Sequence, residues 1–199
     1  MSAILLAAAL VAAATGVATP ARGADLAARS VAPRWVHFDA PLWDIADEGL
    51  LFRLTYGIGS REDWLGRLLR ADEARWMFSL GYARVYHSYD RTTRIFKNPG
   101  GHAALASAGR QWRWRLPEFA GAWTPRLAIE VGGHVASRRF PADGTQFNVK
   151  AIAGLEWIFR AGQPREWSAG VMWPHFSNAN LFSRNAGYDA LALRFGWRR

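Results

Sequence analysis

The stretch FNVKAIAGLEWIF, residues 147–159, decides the fold class of this 199-residue chain. Every odd position in it is apolar, whereas the even positions include Asn148, Lys150 and Glu156. A period of two is typical of a β-strand, because alternate side chains point to opposite faces of the sheet. The stretch is long enough for a membrane-spanning strand, which needs ~9–11 residues. Charges of both signs on one face fit the polar interior of a narrow membrane barrel.

The same alternation recurs along the chain and is separated by turn signals such as Asn98-Pro99-Gly100-Gly101. The further runs lie at residues 50–59, 76–83, 111–115, 127–135, 167–177 and 189–198. A weaker run at residues 92–97 brings the number to eight. We therefore predict an all-β fold, an eight-stranded antiparallel transmembrane β-barrel of the bacterial outer membrane. A soluble lipid-binding barrel with its apolar residues inside is the alternative that alternation alone leaves open.

Composition and the N-terminus indicate an exported single-domain protein. An unbroken apolar run, Ala3–Ala14, fits a signal peptide and is too short to span a bilayer. The predicted organisation is a signal peptide at residues 1–24, an irregular lead-in at 25–48 and the barrel at 49–199. The formal net charge of +9 suits anionic lipids and phosphates, and export makes nucleic acid the least suitable partner. The chain has no cysteine, which excludes thiolate chemistry and disulfides.

Two further stretches carry information beyond the strand rhythm. Residues 61–70 place Trp64, Leu65, Leu68 and Leu69 at helical spacing, which predicts a loop helix that covers part of the barrel. The stretch WPHFSNANLFSRNAGYD, residues 173–189, ends the penultimate strand, forms the last loop and begins the final strand. In a barrel with an even number of strands both termini are periplasmic, so this last loop is predicted to lie at the external rim.

Within residues 173–189, one hairpin would bring together a nucleophile, a base and an orienting carboxylate. His175 and Ser177 share a strand face, and an antiparallel return places Asp189 beside them. All three continue the apolar, lipid-facing parity of their strands. Polar groups on that surface cost free energy and are functional candidates. The alternative is that they are ordinary rim residues at the point where the strand leaves the membrane.

The segment His175-Phe176-Ser177-Asn178, followed by Asn185 and Gly187, resembles the signature of the outer-membrane lipid A 3-O-deacylase family. The resemblance extends over residues 49–199. Asp189 stands where the family has a glutamate, so its carboxylate has a shorter reach. The chain also ends in Trp197-Arg198-Arg199 instead of an aromatic residue.

The resemblance implies an enzyme that hydrolyses the ester-linked 3-hydroxyacyl chain at position 3 of lipid A. Its substrate would be lipopolysaccharide in the outer leaflet, and it would require no metal and no cofactor. Ser177 would attack the ester carbonyl, His175 would take and return the proton, and Asp189 would orient His175.

Supporting roles around this triad are also implied. Asn185, with Asn178 or its backbone amide, would stabilise the oxyanion, and Arg184 would contact a lipid A phosphate. Trp173, Phe176 and Phe182 would hold acyl chains. Two other functions stay open from the sequence: a non-enzymatic barrel for adhesion or envelope stabilisation, and a lipase that acts on glycerophospholipid.

Overall fold

The computed structural model describes residues 34–44, 49–60, 63–86, 88–90, 95–98, 100–117, 123–141, 144–161, 163, 165–179, 181 and 187–198. The predicted signal peptide lies outside these ranges. The elements are β1 (Arg34–Asp44), β2 (Gly49–Ser60), α1 (Trp64–Leu68), β3 (Glu73–Val85), β4 (Ser88–Asp90), β5 (Ile95–Asn98), β6 (Gly101–Arg115), β7 (Trp123–Ala136), β8 (Phe147–Phe159), β9 (Glu166–Ser177) and β10 (Tyr188–Arg198). Among the described residues, no helix is long and apolar enough to cross a bilayer.

Eight of the strands form a closed antiparallel barrel in the order β1-β10-β9-β8-β7-β6-β3-β2, and β4 pairs with β5 in a separate hairpin. The predicted eight-stranded barrel is confirmed. We define the upper rim as the end of the barrel at which the chain passes from β1 to β2, from β3 to β6, from β7 to β8 and from β9 to β10. The lower rim carries the other connections, the start of β1 and the end of β10.

Two parts of the strand assignment are wrong. Residues 34–44, predicted as irregular lead-in, form β1, which pairs with both β2 and β10 and closes the barrel. Pro41 argued against a strand here, because proline has no N–H to donate to a sheet. In the structure Pro41 lies at a register shift between β1 and β10. The described part of the predicted run at residues 92–97 belongs to β5, which pairs with β4 in the separate hairpin and not with the barrel.

The apolar face of the sheet lies outside. Leu80 is 68% exposed and Phe195 is 51% exposed, whereas Lys150, Glu156 and Arg194 are completely buried in the interior. A soluble barrel would have the opposite arrangement, with its apolar residues inside. The exposed apolar band and charged interior are those of a membrane barrel.

Ion pairs fill the interior. Asp39 accepts hydrogen bonds from Arg194 Nε at 2.6 Å and from Arg53 Nε at 2.9 Å. Lys150 Nζ lies 2.5 Å from Glu130 Oε1, and Glu156 pairs with Arg113 and also with Arg194. Buried charges are tolerated when they are paired, and these pairs occupy the interior of the barrel.

Helix α1 packs against the outer wall near the lower rim. Leu65 and Leu69 lie on Trp112 and Trp114, two outward residues of β6 that the helix covers. The side chain of Asp63, just before the helix, accepts hydrogen bonds from Trp112 Nε1 at 2.7 Å and Arg110 Nε at 3.1 Å. The predicted covering helix is therefore present, although it is shorter than the ten-residue pattern.

Candidate active site

Strands β9 and β10 display polar side chains on the outer wall at the upper rim. Burial alternates along β9, and His175 and Ser177 follow the partly exposed parity that includes Trp167 and Val171. In the β9–β10 ladder, Asp189 is the direct partner of His175. Side chains of direct partners on one face lie close together, so the register itself brings these groups into contact.

The three side chains form a continuous hydrogen-bonded chain. His175 Nδ1 lies 3.0 Å from Asp189 Oδ1, and His175 Nε2 lies 3.1 Å from Ser177 Oγ. A carboxylate can only accept, so it selects the tautomer with the proton on Nδ1 and leaves the Nε2 lone pair facing the serine hydroxyl. This is the arrangement in which a histidine can remove a proton from a serine nucleophile.

The site is open to the surroundings of the barrel. The side chains of His175 and Asp189 keep 22% and 30% of their surface exposed, and Ser177 is half-buried. These side chains therefore face the surroundings of the barrel and not its interior.

Trp173 also belongs to this cluster, although the sequence predicted it only as a contact for acyl chains. Its Nε1 donates to Asp189 Oδ1 at 3.0 Å, the same oxygen that faces His175. The available signal was parity, because Trp173 lies two residues before His175 on the same strand face. Sequence spacing could not show that the indole turns towards the carboxylate.

An aromatic cluster supports the hairpin from inside the barrel. Phe176 is 1% exposed and packs with Tyr188, Phe140 and His134. The prediction that Phe176 holds acyl chains is therefore wrong, since it alternates inward between two outward residues. Its packing instead fixes the backbone that carries His175 and Ser177.

The loop residues of the predicted site are only partly described. Asn178 is completely buried after Ser177, and its carbonyl accepts a hydrogen bond from the Leu181 N–H at 2.9 Å. Arg184, Asn185 and the predicted acyl contact Phe182 lie outside the described residues. Among the residues that are described, no group of three or more His, Cys, Asp or Glu could hold a metal ion.

The fold and this site define a class: a membrane-spanning β-barrel with a serine–histidine–aspartate cluster on its outer surface. A family model described as lipid A 3-O-deacylase (PagL) matches residues 41–198. The chain belongs to this family of ester hydrolases.

One solved structure with the same architecture is described as the crystal structure of the outer membrane enzyme PagL. It aligns with a TM-score of 0.57 and 18% sequence identity, over 81% of this chain and 97% of that one. At this identity the likeness shows the fold, that of an outer-membrane barrel. The comparison with curated proteins found no match.

Proposed function

We propose that the protein removes the ester-linked 3-hydroxyacyl chain at position 3 of lipid A and that Ser177, His175 and Asp189 carry out the hydrolysis. The observation that carries the proposal is the continuous chain of hydrogen bonds from Asp189 through His175 to Ser177. This group of side chains lies on the outer wall of the barrel, a position that suits a substrate held in the membrane. Membership of the lipid A 3-O-deacylase family supplies the substrate class.

In the first step, Ser177 Oγ attacks the ester carbonyl carbon while its proton moves to His175 Nε2. Asp189 stabilises the imidazolium that forms. The tetrahedral intermediate collapses, His175 returns the proton to the departing sugar oxygen, and the acyl group remains on Ser177. Water, activated by the same histidine, then releases the 3-hydroxy fatty acid and restores the serine.

The negative charge on the carbonyl oxygen requires donors. The backbone N–H of Asn178 follows the nucleophile directly, and Asn185 is the second proposed donor. The Asn178 side chain is the weaker candidate, because the residue is completely buried. Loss of one such donor costs ~3–4 kcal/mol of transition-state stabilisation in a comparable hydrolase.

We place the upper rim at the cell exterior, so that the site reaches lipid A in the outer leaflet. Two features support this orientation: the barrel has an even number of strands, and its first and last strands begin and end at the lower rim. Arg184, in the loop above the site, is proposed to contact a lipid A phosphate.

Mass spectrometry of lipid A tests the proposal. Cells that produce the wild-type protein should show lipid A lighter by one 3-hydroxyacyl group, and cells that produce Ser177→Ala should show unmodified lipid A. Ser168→Ala is the matched control, because Ser168 is on the same strand but buried inside the barrel. Deacylation by Ser177→Ala would reject the nucleophile. Unchanged lipid A together with fatty acid released from glycerophospholipid would reject the substrate.

A further inference from the structure

Trp173 holds the carboxylate of the site from below. Its indole N–H and the His175 Nδ1 each lie 3.0 Å from one oxygen, Asp189 Oδ1. An aspartate with a single donor can still turn about its χ2 bond, a torsion with a broad energy minimum. A second donor on the same oxygen, from a different direction, restricts that rotation and keeps Oδ1 directed at the imidazole.

The apolar surroundings of Asp189 favour a second hydrogen-bond donor to its carboxylate. Below the site, the outward neighbours on β9 and β10 are apolar: Val171, Leu191 and Leu193. On the side that faces these apolar residues, an ionised carboxylate can find donors only within the protein, because lipid provides none. An indole suits this position, since its ring is apolar and its single N–H can donate.

We propose that Trp173 is a positioning residue of the hydrolytic site, which holds Asp189 Oδ1 and thereby sets the orientation of His175. The inference rests on the proposed triad. It extends the site to four side chains, three of which follow one strand face: Trp173, His175 and Ser177. Trp173→Phe keeps an aromatic ring at this position and removes the N–H that contacts Asp189, so it should lower kcat and leave KM unchanged.

The test compares Trp173→Phe with Trp167→Phe in the purified, folded barrel, with lipopolysaccharide in detergent as substrate. Trp167 is a matched control, because it is an outward tryptophan of the same strand near the lower rim, where its ring contacts Trp197. We expect Trp173→Phe to lower kcat about 10- to 100-fold, the range for losing one hydrogen bond to a charged group. Trp167→Phe should behave as wild type.

A double-mutant cycle with Asp189→Glu separates positioning from packing. A glutamate carries its carboxylate one methylene farther from β10, away from the geometry in which Nε1 meets Oδ1. The effect of Trp173→Phe should therefore be much smaller in the Asp189→Glu background than in the wild type. Trp173→Leu, a second apolar replacement without a donor, should reproduce the result, and the heat-dependent gel mobility of each variant reports its folding.

Three results would overturn the inference: a kcat for Trp173→Phe equal to that of Trp167→Phe, a loss expressed in KM, or equal losses in both backgrounds. Ser177→Ala distinguishes this failure from failure of the proposed function. If Ser177→Ala is inactive while Trp173→Phe retains full kcat, only the role of Trp173 is wrong. If Ser177→Ala is active, the triad itself is wrong.

Discussion

The outer wall of the barrel carries two aspartates that are held in nearly the same way. Near the lower rim, Asp63 accepts from Trp112 Nε1 at 2.7 Å and from Arg110 Nε at 3.1 Å. At the upper rim, Asp189 accepts from Trp173 Nε1 at 3.0 Å and lies 3.0 Å from His175 Nδ1. In both places an indole and a basic side chain contact one carboxylate on the outside of the barrel.

The two clusters differ in the basic partner and in what covers them. Arg110 is a permanent cation, so it cannot remove a proton from a neighbouring hydroxyl. The hydrogen bonds from Arg110 and Trp112 to Asp63 hold the start of helix α1 against β6. The Asp63 side chain is only 11% exposed. An imidazole can act as a base, and His175 has Ser177 on its other nitrogen. Among the described residues, no helix covers this cluster. Both clusters hold a carboxylate with an indole N–H, and the upper cluster adds a base beside a hydroxyl, which is the pair that the proposed hydrolysis requires.

The largest expected effect is at the reactive end of the upper cluster. His175→Ala and Ser177→Ala should each remove deacylation, by analogy with the ~10⁶-fold losses measured for triad residues of a well-studied protease. Arg110→Ala, at the equivalent place in the lower cluster, should leave the rate unchanged. Rates with purified lipopolysaccharide decide the matter, and a slow Arg110→Ala variant with intact folding would break the proposed distinction.

The carboxylates give the second contrast. Asp189→Asn should lower kcat about 10⁴-fold, because an amide no longer selects the Nδ1–H tautomer; that is the size of the corresponding change in serine proteases. Asp63→Asn should leave kcat unaltered. Steady-state kinetics of the two variants, measured side by side, test this difference. Equal losses of kcat in Asp189→Asn and Asp63→Asn would contradict the proposed roles of the two carboxylates.

The stability of the two variants should differ in the opposite sense. Asp63→Asn removes a charge-assisted pair that holds helix α1, at a cost of about 1–3 kcal/mol. Asp189→Asn should cost less, because that carboxylate is more exposed. Unfolding temperatures in detergent, followed by gel mobility, measure the difference, and equal shifts would show that the lower cluster has no special structural role.

Acid should weaken the lower cluster. Desolvation acts to raise the pKa of Asp63, but the Gly66 backbone N–H, Trp112 and Arg110 together hold that pKa below its ordinary value. A lowered pKa in the folded state means that the stabilisation is present at neutral pH and is lost as the pH falls through the folded-state pKa. Unfolding temperatures of the wild type should therefore approach those of Asp63→Asn at low pH; a constant gap across pH would argue against it.

The smallest expected effect is at Gly187, beside the upper cluster. A Cβ there would lie 3.4 Å from His175 Cε1 and 4.0 Å from Asp189 Oδ2, which is ordinary van der Waals contact. Gly187→Ala should change kcat by no more than about 2-fold, the usual range for a tolerated surface substitution. A large loss would show that the imidazole must move through this space during the reaction.

The sequence predicted the barrel and the pairing of His175 with Asp189 because both follow from the two-residue period. The outward parity of His175 and Ser177 and the return of Asp189 required only strand pairing, and the structure has that register. β1 was missed because Pro41 interrupts its pattern and because its inward residues include Trp35, which reads as apolar on the wrong face. The Trp173–Asp189 contact could not be predicted, since side-chain rotation about χ1 and χ2 is not encoded in spacing.

We propose that Ser177 is an activated nucleophile on the outer wall of the barrel. A lipophilic fluorophosphonate, applied to the folded barrel in detergent, tests it directly through peptide mass mapping. We expect one adduct, on Ser177, and we expect it to disappear in His175→Ala while the barrel stays folded. No adduct on Ser177, or one of equal yield in His175→Ala, would contradict it.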